Sequence, residues 1–135
     1  MSPPGRPKGE YRSAQHEGNP MSHDPNCIFC KISSGQIASR KVYEDDELYV
    51  FHDIAPWAPV HFLIIPKDHV ATMYDTGDEH APMMGRMMAL APRLARELGI
   101  VNGFRIVINT GPDGRQEVQH VHMHVMGGPR PWSKG

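Results

Sequence analysis

Cysteine is scarce in this chain. Only Cys27 and Cys30 occur in 135 residues. A single C-x-x-C pair cannot staple a domain, which excludes a disulfide-built fold and predicts a reducing, cytoplasmic setting. Charge of one sign is also lacking. Fourteen Lys and Arg stand against fifteen Asp and Glu, for a formal net charge of -1. A duplex-binding protein would normally carry a basic face, so no nucleic-acid partner is expected. No run approaches the roughly 18–20 apolar residues of a membrane span. The N-terminus has no apolar segment of the kind that directs secretion, so no membrane association is expected either.

Hydrophobic residues make up 39% of the chain, enough for one core, and the length suits a single domain. Residues 1–26 contain eight Pro or Gly and only four apolar residues. Such a segment buries too little to offset the entropy of ordering. A disordered tail over residues 1–22 is therefore expected ahead of one domain over residues 23–135.

Within that domain, short apolar runs bounded by turn residues predict strands at 40–44, 48–53, 62–65, 104–109 and 119–126. Thr76-Gly77-Asp78-Glu79 has the form of a helix capping box. Met84, Met87, Met88, Ala91, Ala95 and Leu98 follow at helical spacing, with Gly99 placed to end the helix. Pro92 inside that stretch predicts a kink or a stability cost. Strands, then a helix, then strands describe an α+β domain with a mostly antiparallel sheet.

Nine histidines are the compositional oddity. His120, His122 and His124 alternate with Val121, Met123 and Val125. In a strand, alternate side chains share a face, so three imidazoles face one way and three apolar groups the other. Three readings follow. The face is merely solvated, or it binds a metal, or it performs nucleophilic or acid–base chemistry on an anion. The metal reading meets a geometric obstacle. Residues i and i+4 of a strand are ~13 Å apart, too far for one tetrahedral zinc to collect all three rings. The anion reading suits the neighbourhood, because Asn109, Gly111, Gly114 and Gln116 supply neutral donors and a glycine-bearing turn just before the histidines.

The segment His120-Val121-His122-Met123-His124-Val125-Met126 resembles the signature of the histidine triad (HIT) family. Cys27-Ile28-Phe29-Cys30-Lys31-Ile32, Phe51-His52-Asp53-Ile54, Ala58-Pro59-Val60-His61-Phe62, Ile65-Pro66-Lys67, Asn109-Thr110-Gly111 and Gly127-Gly128 resemble the matching segments of its Hint branch. The similarity spans about residues 24–132 and is nearest to bacterial purine nucleoside phosphoramidases of that branch.

That resemblance implies a five-stranded, mostly antiparallel sheet with one main helix and a short N-terminal helix, assembled as a homodimer through the main helix and the strand at 104–109. It implies His122 as a nucleophile pinned by a backbone carbonyl, with His124 on the phosphate and His120 in support. Asn109, Gln116, Glu117 and Val118 would serve the phosphate side, Glu117 through its N–H while its carboxylate points away. Asp53 would accept the ribose hydroxyls. Ile28, Phe29, Ile32, Phe51, His52, Ile54 and Leu63 would form the base pocket. The implied activity is cleavage of the P–N bond of purine nucleoside phosphoramidates, and of acyl-adenylates as a second class, through a nucleotidyl-histidine. The alternatives are a dinucleoside polyphosphate hydrolase of the same family and a purine-nucleotide-binding scaffold.

No cofactor is required in the implied chemistry. Some family members hold a structural zinc, for which Cys27, Cys30, His61 and His120 would be the ligands here. Three departures stand out against the usual Hint pattern: Glu117 where Ser is usual, Arg115 in place of a Gly, and a C-terminal segment around Trp132 that is one residue shorter.

Overall fold

A computed structural model describes residues 21–134, so the expected tail lies almost wholly outside the described residues. Order reaches back at least to Ser22, whose N–H and hydroxyl donate to Asp68 Oδ1 at 2.7 and 3.0 Å. The element order is α1 (Ile28–Ser33), β1 (Lys41–Glu44), β2 (Leu48–His52), β3 (Val60–Pro66), α2 (Ala81–Glu97), β4 (Phe104–Val107) and β5 (Met123–Gly127). The five strands form one antiparallel sheet in the order β1-β2-β3-β5-β4. No helix among the described residues is long and apolar enough to cross a membrane.

β2 and β3 are nearly continuous apolar runs because both of their faces are covered. Leu48, Val50, Phe62, Ile64, Met123 and Val125 pack with Met83, Met87, Leu90, Ala91, Leu94 and Ala95 of α2. The alternate residues Tyr49, Phe51, Leu63 and Ile65 pack on the opposite face against Cys27, Phe29, Cys30 and Ile32. The sheet thus separates a large core under α2 from a smaller one under α1, and the second carries the site.

Three sequence expectations change here. The capping box sits earlier than Thr76. Thr72 Oγ1 accepts the Tyr74 N–H at 3.1 Å, and Asp75 Oδ2 accepts the Thr72 N–H at 3.0 Å. Two 3-10 turns follow, and α2 begins only at Ala81. The buried stripe of α2 includes Met83, Leu90 and Leu94, whereas Met88 is 51% exposed. Apolar residues at adjacent positions permit two stripes, and packing on Phe62 and Ile64 selects the one at 83-87-90-94. The helix runs through Pro92 unbroken. The carbonyl that loses its partner there is that of exposed Met88, where water can satisfy it. Gly99, with φ +87°, ends α2 as its spacing predicts.

Candidate active site

β5 is shorter than the sequence predicts. His120 and His122 precede it, His120 in a bend where its N–H donates to Val118 O at 2.9 Å, and the segment is held by the Val121 N–H donating to Val70 O at 2.7 Å. The alternation survives, since Val121, Met123 and Val125 enter the apolar interior. The three imidazoles are buried as well, at 0%, 5% and 8% exposure for His120, His122 and His124, so a solvated histidine face is excluded.

The hydrogen bonds fix where each ring carries its proton. His122 Nδ1 lies 2.7 Å from the His120 carbonyl oxygen. A carbonyl only accepts, so Nδ1 bears the proton and Nε2 keeps its lone pair. Burial lowers the pKa of His122 from its ordinary value, so the ring is neutral near pH 7. Phe29 packs edge-on against this ring, with centroids 5.1 Å apart. A neutral, oriented imidazole with a free nitrogen is a nucleophile.

A second chain of bonds orients His124. The Trp57 N–H donates to His61 Nδ1 at 3.0 Å, so the His61 proton sits on Nε2. That nitrogen donates to His124 Nδ1 at 2.9 Å, which leaves His124 with its proton on Nε2. His124 is therefore a donor beside the free Nε2-bearing ring of His122, their ring centroids 5.0 Å apart. Burial, then the neighbouring His122 and His61, push the pKa of His124 down to about 4. Asp53 Oδ2 lies 3.5 Å from His61 Nε2, and its Oδ1 accepts the Ala55 N–H at 2.8 Å.

His120 turns the other way. Its Nε2 donates to Pro66 O at 2.8 Å, so Nδ1 holds a lone pair. That nitrogen lies 3.3 Å from Cys27 Sγ, 3.7 Å from Cys30 Sγ and 3.2 Å from His69 Nδ1. Cys30 Sγ is 3.5 Å from His69 Nδ1. A tetrahedral zinc with two S and two N ligands needs ligand-to-ligand spacings of about 3.3–3.8 Å; three of these spacings lie in that range and the fourth, between His69 and His120, falls just short of it at 3.2 Å. Cys27, Cys30, His69 and His120, with all four ligand atoms within 4.8 Å of one another, thus suit a zinc ion. Burial pushes the Cys30 thiol up to about 11 in the absence of metal. His61, expected among these ligands, belongs to the other group, and His69 takes its place. Asp53, His61 and His124 also lie close together. A metal there would need the His61 proton moved onto Nδ1, against the Trp57 N–H, so the donor set does not suit a cation.

Phe29, Ile32, Phe51 and Leu63 are buried in the apolar cluster beside His122, with Val118 packed against it. His52 is half-buried, while Ile28 and Ile54 stand out at 47% and 98% exposure. Asn109 Nδ2 donates to Gly114 O at 2.8 Å. Gln116 Oε1 accepts the Gly111 N–H at 3.0 Å, and its Nε2 donates to Ala71 O and Val118 O at 2.7 and 2.9 Å. Both Gln116 N–H groups are used, so this side chain holds the turn rather than presenting a free donor. Glu117 is exposed. Gly114 has no room for a side chain, because a Cβ would meet Thr110 O at 2.3 Å. Arg115 adopts φ +61°, a left-handed conformation that costs a non-glycine residue about 1 kcal/mol or more. Arg115→Gly is expected to raise stability by about 0.5 kcal/mol, read as a higher urea midpoint at unchanged m. A lower midpoint would show that the Arg side chain contributes more than the backbone costs.

His69, His61 in its relay role and Trp57 were not legible in the sequence. Each lies in or beside a Pro-flanked segment (Pro56-Trp57-Ala58-Pro59, Pro66-Lys67-Asp68-His69) that carries no periodicity. The HIT domain family model matches residues 34–130. The chain belongs to the HIT family. It is 48% identical over 104 residues to protein HitA of Neisseria gonorrhoeae, covering 77% of this chain and 97% of that protein. It is 44% identical over 107 residues to adenylylsulfatase HINT1 of Arabidopsis thaliana, covering 78% of this chain and 73% of that one. It also resembles the crystal structure of a Zn-bound histidine triad family protein from Mycobacterium smegmatis. There the TM-score is 0.67 and the identity 36%, over 76% of this chain and 74% of the other.

Proposed function

We propose that this HIT protein is a nucleotide hydrolase that cleaves the P–N bond of purine nucleoside phosphoramidates. The observation that carries the reading is the 2.7 Å bond from His122 Nδ1 to the His120 carbonyl, which leaves Nε2 free beside the apolar cluster that holds Phe29. Nε2 attacks the α-phosphorus, the P–N bond breaks, and the amine departs with a proton. Water then cleaves the nucleotidyl-histidine to release the nucleoside monophosphate and restore the ring. His124, with its N–H on Nε2, binds and helps neutralise the phosphoryl oxygens. His120 contributes its carbonyl rather than its ring. The main-chain N–H groups of the 109–118 turn, held by Asn109 and Gln116, complete the phosphate contacts.

The slot of Phe29, Ile32, Phe51, Leu63 and Val118 takes the purine, with His52, Ile28 and Ile54 at its rim. Asp53 takes the ribose hydroxyls. The relative named adenylylsulfatase supports an adenylyl group as the part attacked, which leaves acyl-adenylates as a second substrate class. Incubation of the full chain with adenosine 5′-phosphoramidate and with diadenosine polyphosphates tests the reading. Release of AMP from the phosphoramidate at the higher kcat/KM is expected. Faster cleavage of the polyphosphate would overturn the substrate assignment, and AMP binding without turnover of either would leave a nucleotide-binding scaffold.

A structural zinc at Cys27, Cys30, His69 and His120 is part of the proposal. With four protein ligands it would supply no reactive water, only a tie between α1 and the approach to β5. Titration of chelator-treated protein with ZnCl2 is expected to give one ion per chain. At a thousandfold excess over Kd the gain in stability would be about 4 kcal/mol. Cys27→Ser with Cys30→Ser should abolish the binding. Wild-type protein that takes up no zinc would remove the metal from the account. Chelator should cost little turnover, because no step uses the ion.

The protein is proposed to act as a cytoplasmic homodimer. β4 is a sheet edge that bears Phe104 at 38% exposure, and Val101, three residues before it, stands at 83%. Such an edge with apolar neighbours suits a second copy of the chain.

A further inference from the structure

Trp57 sits in the loop between β2 and β3, and nothing in its sequence context marks it for chemistry. Its indole lies nearly parallel to the His124 imidazole, at 18° with centroids 5.6 Å apart. The same indole meets His61 edge-on at 5.7 Å. Its main-chain N–H sets the tautomer of His61, and through His61 that of His124. The residue therefore acts on the donor ring twice, through its plane and through its proton.

The C-terminal segment holds Trp57 in turn. The Ser133 N–H and hydroxyl donate to Trp57 O at 2.8 and 3.1 Å, and the hydroxyl also reaches Pro56 O at 3.3 Å. Lys134 Nζ lies 5.3 Å from the indole centroid. The charged or titratable groups around His124 are thus His61 from β3, His122 from the approach to β5, Asp53 from the loop after β2, and Lys134 behind the indole.

We propose that Trp57 is a positioning residue for phosphoryl transfer: the stacked indole fixes the plane of His124, and the Trp57 N–H fixes the His124 proton on Nε2, the nitrogen offered to the phosphoryl group. Offset stacking at this distance is a favourable aromatic contact with a defined geometry. A donor that must meet developing charge loses much of its effect when misplaced by about an ångström. The proposal rests on the nucleotide-hydrolase reading above, and its test separates the two.

Steady-state kinetics of the full chain on adenosine 5′-phosphoramidate form one arm. In Trp57→Ala, kcat is expected to fall about tenfold or more while KM changes less than about threefold. Trp57→Phe keeps an aromatic plane and should recover most of the loss. An unchanged kcat in Trp57→Ala overturns the proposal. So does an equal loss in both variants, which a merely structural loop residue would give.

Long-range 1H–15N spectra of the histidine rings form the second arm and need no turnover. His61 and His124 should both be Nε2–H tautomers in the wild type, in Trp57→Phe and in Trp57→Ala, all of which keep the main-chain N–H, and should become tautomeric mixtures in Trp57→Pro, which lacks it. An Nδ1–H tautomer at either ring in the wild type overturns the proposal. If the wild-type protein releases no AMP while the spectra behave as expected, the hydrolase reading fails and the Trp57 hold on His124 stands.

Discussion

His122→Ala is expected to lower kcat on adenosine 5′-phosphoramidate by on the order of 10⁴-fold, with AMP affinity changed less than about threefold. The size follows from the role. A donor that stabilises charge can be replaced in part by water, but the atom that bonds to phosphorus has no substitute in the site. His124 Nδ1 is engaged by His61, and its other nitrogen carries a proton, so it has no lone pair to offer. His120 Nδ1 has a lone pair, but it faces Cys27, Cys30 and His69 instead. Binding should largely persist, because, of the cluster of Phe29, Ile32, Phe51 and Leu63, only Phe29 touches the His122 ring through a ring contact. Single-turnover kinetics and calorimetry with AMP measure the two quantities separately. Turnover within tenfold of the wild type would eliminate covalent transfer through this residue.

The core of that argument was legible in the sequence because it has a period. Three histidines spaced by two in an apolar run announce a strand with two different faces. The carbonyl that pins His122 lies only two residues earlier in the same segment, so the ring is set up by local geometry. No periodicity announces the partners of the other two rings, because they depend on register between distant strands; that Cys27 and Cys30 join His120 is implied only by the family resemblance, and the structure places them together. Cys27 and His120 are 93 residues apart in sequence. His61 was expected beside them, yet the register of β3 with β5 sets His61 across from Met126 and Leu63 across from His124. That places His61 two residues from the His124 level, on the face it shares with Leu63, at the far end from the cysteines. His69 arrives from the loop after β3, where Ser22 O accepts its N–H at 3.0 Å, a contact no pattern announces. The helix shows the opposite failure, because apolar residues at 83, 84, 87, 88, 90, 91, 94 and 95 satisfy two stripes and only the sheet beneath decides between them.

The second large expected effect is a loss of stability in acid. In the metal-free protein, burial first, and then the neighbouring rings, push His120 and His124 each down to about 4. Both titrate near 6.5 in an unfolded chain. The sign follows from linkage. Between pH 6.5 and 4 the unfolded chain binds protons at these rings and the folded protein does not, so stability is full above 6.5 and falls as pH drops through that window. Burial lowers His61 and His122 too, which adds in the same direction. Each of the first two rings contributes on the order of 3 kcal/mol across the window. A domain of this size has a total stability of about 5–15 kcal/mol, so a large share of it is expected to be lost by pH 4. The carboxylates do not produce this limb. Asp45, held down to about 2 against its own burial by Arg86, the main-chain N–H groups of Glu47 and Leu48, and Tyr43, loses its contribution only below its unfolded value near 4. Urea midpoints at pH 7.5, 5.5 and 4.5 measure the slope, and His124→Asn should flatten it by removing one of the two largest contributors. A midpoint unchanged between pH 7.5 and 4.5 would mean that the imidazoles take up protons as freely in the folded state as in water, and the neutral nucleophile would lose its physical basis.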